Sequence, residues 1–231
     1  FLLVMKTASI FLKKKLEENI DHFLDNSQIH YLKKVLKIKD GEHIHIYDGQ
    51  GNKNLAIFNG ESTVKIIKKE NQKRKFEVTT LVPILKKAKF EFQLQKMVEI
   101  GVKNIVCYVS AKSKDQYNLE KELGKTERYK EIITSAFLQS ENFYLPTISF
   151  IDSLCLFSMD NFKKTIVLDQ NAEKTLGLNI DCDLMISGGE FGFDSSEIDF
   201  LSENQATFFN LGENILRAET APIVALSRIN F

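Results

Sequence analysis

A chain of 231 residues, 43% hydrophobic and 27% charged, has the composition of an ordinary globular protein of one or two domains with room for a sizeable core. No apolar run approaches the roughly 20 residues of a membrane-spanning helix, and Phe1 to Met5 is too short for a secretion signal. The formal net charge is zero but unevenly spread: residues 1–75 carry 15 Lys/Arg against 9 Asp/Glu, a surplus of +6 that the remainder balances with −6. Two readings of the first part stand, a basic face for a polyanion or a solvated lysine surface. Cys107, Cys155 and Cys182 are odd in number and far apart, which predicts reduced, buried thiols in a cytoplasmic protein, with neither a bridge nor a metal site.

In chain order, "SQIHYLKKVLKI" places Ile29, Leu32, Val35 and Leu36 at helical spacing, with Lys33, Lys34 and Lys37 on the other flank. "DGEHIHIYDGQGN" alternates apolar and polar residues between glycine turns, as strands of a small sheet or barrel do. All four histidines (His22, His30, His43, His45) fall in this part, and none is read as catalytic. "KKENQKRK", residues 68–75, is a charged break and the expected linker, dividing a β domain at 1–72 from a larger domain at 73–231. From there strands and helices alternate. "FEVTTLVP" predicts a strand, and "KFEFQLQKMVEIG" a helix with Phe90, Leu94, Met97 and Val98 on one face and Gly101 as its stop. "NIVCYVS" predicts a buried strand, and "TERYKEIITSAFLQS" a helix capped by Thr126. Residues 145–162 resist assignment. "TIVLD", "DLMIS" and "ATFFNLG" predict three more strands, with a helix after Phe193 and a last helix from about Leu216. Continuous apolar strands separated by helices imply an α/β domain with a mostly parallel sheet.

Three strands end in loops of unusual composition: Leu168-Asp169-Gln170, Ser187-Gly188-Gly189-Glu190-Phe191-Gly192 and Asn210-Leu211-Gly212-Glu213-Asn214. Carboxyl ends of parallel strands are where such sheets bind ligands, and glycine lets the backbone approach one closely. Asp194-Ser195-Ser196-Glu197 resembles a capping box, so a helix starts at once. Gly-Gly-x-x-Gly is neither the dinucleotide fingerprint nor a P-loop, and Glu190 disfavours a phosphate. Arg217 in the first turn of a helix opposes the helix dipole, which favours a partner or substrate over a plain surface role; pairing with Glu213 or Glu219 is the alternative.

Together, "GGEFGF" and, about twenty residues later, "LGENILRAETA" resemble the paired motifs of the ribosomal RNA small subunit methyltransferase E family, usually Gly-Pro-Glu-Gly-Gly-Phe and Leu-Gly-x-Arg-Ile-Leu-Arg-x-Glu-Thr-Ala. "FQLQKMVEIGVKNIVCYVSAKS" and "HYLKKVLKIKDGEHIHIYDG" resemble further family segments, so most of the chain is covered in order. The resemblance implies an N-terminal PUA-like β-barrel domain and a C-terminal SPOUT α/β domain with a trefoil knot. It implies transfer of a methyl group from S-adenosyl-L-methionine to N3 of a uridine in 16S ribosomal RNA, by a homodimer joined through the knot region, without metal or membrane. Beside it stand a non-catalytic rRNA-binding or ribosome-assembly protein on the same scaffold, and a SPOUT enzyme acting on another RNA.

The resemblance assigns the cofactor to Leu168, Ser187, Gly188, Gly189, Glu190, Gly192, Leu211, Gly212, Ile215, Leu216 and Thr220. Arg217 is the expected stabiliser of charge on the uracil oxygens. Glu190 and Glu219 are proton acceptors or orienting groups, or else carboxylates that anchor loop amides. Lys33, Lys34, Lys37 and Lys112 are the expected RNA contacts. The chain departs from the family pattern at Gly189 (usually proline), Phe191 (usually glycine), Asn214 (usually arginine) and Ala111-Lys112 (commonly Glu-Arg). A Phe at 191 raises the question whether the turn's backbone tolerates a side chain there.

Overall fold

Strand alternation builds the first part of the chain around one buried face. The computed structural model describes residues 8–14 and 16–229, so the short apolar run at residues 1–5 lies outside the described residues. The chain divides into two units, one of residues 1–74 with 137–145, the other of residues 75–136 with 146–231.

In the first unit, strands β1 (Ala8–Phe11), β2 (Asp21–Phe23), β3 (His43–Tyr47), β4 (Asn52–Asn59) and β5 (Thr63–Asn71) form a sheet ordered β1-β3-β4-β5-β2. Only the β1–β3 pair is parallel. Every second residue of β4 points inward, and Ala56 and Phe58 join Ile10, Ile44, Ile46, Val64 and Ile66 in the core. Strand β5 runs on to Asn71, so residues 68–71 of the expected linker are paired with β4 instead. Their charge reflects an exposed strand face, since residues 67–71 are all exposed.

Helix α1 (Asn26–His30) starts at a capping box, with the Asp25 carboxylate accepting the Gln28 amide at 2.8 Å and Gln28 Oε1 accepting the Asp25 amide at 2.9 Å. The single helix expected over this stretch does not form. Tyr31–Val35 winds as a π-helix, closed by the Leu36 amide on the Tyr31 carbonyl at 3.0 Å. The extra residue per turn shifts the helical phase, so Leu32 is fully buried while Val35 is 58% exposed. Aromatic rings of Phe11, Tyr47, Phe137 and Phe143 pack edge to face with centroids 5.7–6.3 Å apart, which is why residues 137–145 count with this unit.

The second unit contains β6 (Thr79–Pro83), α2 (Lys87–Ile100), β7 (Asn104–Tyr108), α3 (Leu119–Leu123), α4 (Thr126–Gln139, its last turn belonging to the first unit) and β8 (Thr147–Ile151). Then come β9 (Thr165–Leu168), β10 (Leu184–Ser187), α5 (Ser195–Glu203), β11 (Thr207–Phe209) and α6 (Ala221–Leu226). All six strands are parallel, in the order β11-β9-β10-β6-β7-β8. Strands β9 and β10 are buried at every position, as expected of a sheet covered on both faces. Helix α2 ends at Gly101 in the left-handed conformation, φ 94°, and buries Phe90, Leu94, Met97 and Val98 as the spacing predicts. Residues 145–162, unassigned from sequence, hold β8 and a single 3-10 turn at Leu154–Leu156.

Three expectations need correction. Thr126 lies inside α4, its hydroxyl donating to the Leu123 carbonyl at 2.6 Å. The last helix begins at Ala221, not near Leu216, because Pro222 takes the opening position where a missing amide costs nothing. Cys107 is buried, but Cys155 and Cys182 are only half-buried, the first in the 3-10 turn and the second in the loop before β10.

Candidate active site

The strand order turns back between β6 and β10, the place where an open parallel sheet leaves a crevice outside its carboxyl ends. A cavity of about 680 Å³ lies outside the carboxyl ends of the strands on the β10 side of that reversal, within the size range typical of ligand sites. Its walls come from the ends of β9 (Leu168, Asp169), β10 (Ser187 to Phe193) and β11 (Phe209 to Gly212), with Asn214 to Ala218 closing it. Lys89, from the first turn of α2, and Lys112, from the loop after β7, complete the lining.

The glycine segment forms a tight turn, with the Gly192 amide donating to the Gly189 carbonyl at 3.0 Å. Glu190 and Phe191 occupy its corners. The positive φ falls on Gly192 (68°), and Phe191 is not among the residues in that region, so a side chain at 191 carries no backbone strain. Phe191 is 56% exposed. At Gly189 a Cβ would stand 3.2 Å from the Ser110 side chain, so the missing side chain lets the two loops touch. Immediately after the turn, Asp194 and Glu197 form the predicted capping box of α5. Backbone and hydroxyl donation from Ser196 holds the Asp194 carboxyl below its usual range.

The loop after β11 is shaped by Asn210. Its Oδ1 accepts the Gly212 amide at 3.1 Å and the Thr175 hydroxyl at 2.9 Å, and its Nδ2 donates to the Ala172 carbonyl at 2.7 Å. Gly212 has φ 125°, a conformation that side-chain-bearing residues rarely adopt. Arg228 donates to the carbonyls of Leu176 (2.8 Å) and Leu211 (3.1 Å), joining the loops after β9 and β11.

Of the residues named from sequence, Leu168, Ser187, Gly188, Gly189, Glu190, Gly192, Leu211, Gly212, Ile215, Leu216 and Arg217 all line this one cavity. Glu219 and Thr220 do not line it; the Thr220 amide donates to the Arg217 carbonyl at 2.9 Å, folding the turn that precedes α6. Arg217 therefore precedes the helix by four residues and meets no first-turn dipole. Its guanidinium is 76% exposed and stands 4.0 Å from Glu219 Oε1. Glu219 Oε2 and Ser187 Oγ are buried and accept or donate no hydrogen bond among the described residues. Lys112 lines the cavity and donates to the Phe191 carbonyl at 3.1 Å, whereas Lys33, Lys34 and Lys37 are exposed on the first unit.

Sequence reasoning missed Lys89, Ser110 and Asn210. Lys89 pairs with the Glu190 carboxylate, a contact across 101 positions that no spacing reveals. That hydrogen bond raises the Lys89 pKa, with Glu219 adding to the effect and Arg217 opposing it. The Glu190 carboxylate, read from sequence as disfavouring a phosphate, is thus charge-paired within the protein. Asn210 could have been found: Asn-x-Gly after a strand is the pattern of a side chain that closes its own turn. Among the described residues no cluster of His, Cys, Asp or Glu could hold a metal ion, and no helix is long and apolar enough to cross a membrane.

Comparison with known proteins agrees with this architecture. Residues 71–230 match the family model of an RNA methyltransferase domain, and residues 24–69 that of an RNA methyltransferase PUA domain. The ribosomal RNA small subunit methyltransferase E of Mesomycoplasma hyopneumoniae is 30% identical over 225 residues, 94% of this chain and 97% of the relative. Its namesake from Buchnera aphidicola (subspecies Schizaphis graminum) is 29% identical over 235 residues, 95% of this chain and 94% of the relative. A crystal structure of ribosomal RNA small subunit methyltransferase E from Neisseria gonorrhoeae, bound to S-adenosyl methionine, shares the fold at TM-score 0.84 and 24% identity, covering 95% of both chains. The first unit is thus PUA-like, the second is the α/β fold of the SPOUT type, and the chain belongs to the ribosomal RNA small subunit methyltransferase E family.

Proposed function

We propose that this protein methylates N3 of a uridine in 16S ribosomal RNA, with S-adenosyl-L-methionine as methyl donor. The observation that carries the reading is the meeting of the two family motifs in one cavity at the carboxyl ends of parallel strands, with residues 188–193 from the first and most of 211–221 from the second in its lining. The cavity fits such a cofactor. Ser187 Oγ lacks a partner, the backbone at Gly212 stands open with nothing within 4 Å of where a Cβ would lie, and Leu168, Leu211, Ile215 and Leu216 supply apolar walls. These residues, with the turn at 188–192, would hold the adenosine and methionine parts. The bound cofactor supplies a methyl group already activated on a sulfonium sulfur, which leaves positioning and electrostatics to the protein.

Uridine N3 gives up its proton, for which Glu190 and Glu219 are the candidate acceptors, and negative charge develops on the uracil oxygens. Arg217, exposed at the cavity rim, is the group placed to stabilise that charge. Glu190 lines the cavity, and Glu219 Oε1 stands 4.0 Å from the Arg217 guanidinium, within reach to orient it. The exposed lysines 33, 34 and 37 of the first unit bind phosphates and so set the RNA in register. We further read the protein as a cytoplasmic homodimer whose C-terminal segment is threaded in a trefoil knot. The bonds from Arg228 to residues 176 and 211 support that reading, as do the exposed side chains of Leu178 and Ile215.

Calorimetry with S-adenosyl-L-methionine, together with mass mapping of 16S rRNA from a deletion strain, tests the function. The expected result is saturable cofactor binding and the loss of one methyluridine in the strain. A deletion strain with unchanged uridine methylation would overturn it.

A further inference from the structure

The turn at 189–192 is short, rich in glycine and exposed at its tip, yet it forms one wall of the cavity. Glycine adds conformational freedom that must be removed somewhere for the wall to keep its shape. The family's usual proline is absent at 189, so the chain itself does not stiffen the turn. Contacts from two neighbouring elements take its place.

From one side Lys89, at the start of α2, places its ammonium on the Glu190 carboxylate; both side chains are half-buried. From the other side the segment after β7 meets the turn residue by residue. The Tyr108 hydroxyl donates to the Ser187 carbonyl at 2.8 Å, the Ser110 side chain fills the space that a Cβ of Gly189 would need, and the Lys112 ammonium donates to the Phe191 carbonyl at 3.1 Å. The Ala111 amide donates at 3.0 Å to Glu197 Oε1, whose other oxygen accepts the Asp194 amide at 2.8 Å. Both corner residues of the turn, Glu190 and Phe191, are thus gripped by a lysine from a different strand connection.

We propose that Lys89 and Lys112 are positioning residues that clamp the 189–192 turn in the shape the cofactor needs, Lys89 through the Glu190 carboxylate and Lys112 through the Phe191 carbonyl. The assignment of the cofactor rests on the methyltransferase reading above, but the clamp is a property of the chain alone. Lys112 then serves the cavity wall and is not primarily an RNA contact. Each lysine acts at its own corner, so losing either loosens the turn and losing both loosens it further.

The test uses the full-length protein without cofactor first. Hydrogen exchange of peptides covering 187–194 is compared for wild type, Lys89→Met, Lys112→Met, the double variant and Lys87→Met, an exposed neighbour on the same helix turn that serves as control. The clamp predicts faster exchange in both single variants, fastest in the double, recovery in Lys89→Arg, and no change in Lys87→Met. Calorimetry with S-adenosyl-L-methionine then reads the consequence: affinity about 10- to 100-fold weaker in Lys89→Met and Lys112→Met, the drop that follows when the loosened turn holds its binding shape only about 1–10% of the time. RNA affinity should stay within twofold of wild type. Unchanged exchange at 187–194 in both variants overturns the clamp whatever the activity shows. A wild type that binds no cofactor instead overturns the functional reading, and the exchange result still decides the clamp. If Lys112→Met weakens RNA binding and leaves exchange and cofactor affinity untouched, Lys112 is an RNA contact and the proposal fails at that corner.

Discussion

Phe191 and Gly212 show that backbone conformation decides whether a position tolerates a side chain. The departure at 191 looked like a threat to the cofactor loop, but the left-handed conformation belongs to Gly192, one residue on, so Phe191 sits in unstrained backbone. Gly212 is the opposite case: a Cβ there would meet nothing within 4 Å, and only the φ of 125° forbids a side chain. Gly212→Val should therefore abolish measurable cofactor binding by distorting the turn while leaving thermal stability near wild type, which calorimetry and a melting curve check together. Arg217→Ala should leave cofactor affinity unchanged and slow methyl transfer by about 100-fold or more, read in single-turnover assays with rRNA. Thiol chemistry follows from burial. Burial drives the Cys107 thiol far above its usual range, and that of Cys182 is pushed up to about 12, again mainly by burial. Titration of the native protein with a thiol reagent at pH 8 should show one fast site, Cys155, lost in Cys155→Ser. That Arg217, Gly212 and Glu190 would meet in one cavity was readable because they sit in the two motifs. Lys89 was not, since its partner is distant in sequence and its own neighbourhood reads as an ordinary helix start.

Of the helix starts, that of α5 was legible in the sequence, and the reason is local chemistry. The capping boxes at Asp25 and Asp194 fix where α1 and α5 begin, and in both the side chain bonds the backbone three residues on or nearby. Helix continuation was less legible. The π-turn at Tyr31–Val35 and the late start of α6 both depend on which backbone carbonyl an amide finds, which residue spacing does not encode. Glu197 links the α5 start to the segment after β7, and it is buried with both oxygens committed to amides. Glu197→Ala should destabilise the fold by about 1–3 kcal/mol, the cost of leaving two part-buried amides without their acceptor, measured by urea unfolding at neutral pH. The Asp194 cap carries a pH signature of its own. Its folded pKa is depressed, so its contribution is present above the ordinary carboxyl range and is lost as pH falls through the folded value. In Asp194→Asn the acid limb of the stability profile below about pH 4 should be shallower than in wild type.

At the scale of the whole molecule, charge and periodicity foretold a basic β part and an α/β part, because both are averages over many residues. Strand order was beyond reach, since pairing of β6 with β10 joins segments separated by about a hundred residues. The basic first unit predicts rRNA affinity that falls steeply with salt. Replacing Lys33, Lys34 and Lys37 together with alanine should lower the slope of log affinity against log salt by about 2 while leaving cofactor affinity unchanged, measured by filter binding across salt concentrations. The all-parallel sheet also dictates an order of events in time. A ribosome making about 5–20 residues per second takes on the order of 5–20 s to pass from the end of β6 at Pro83 to the start of β10 at Leu184. Through that interval β6 has β7 on one flank and nothing of its own chain on the other, with an apolar, hydrogen-bonding edge waiting for a partner not yet translated. Synthesis speed, and whatever shields that edge in the meantime, therefore decides how much of the chain reaches its native sheet.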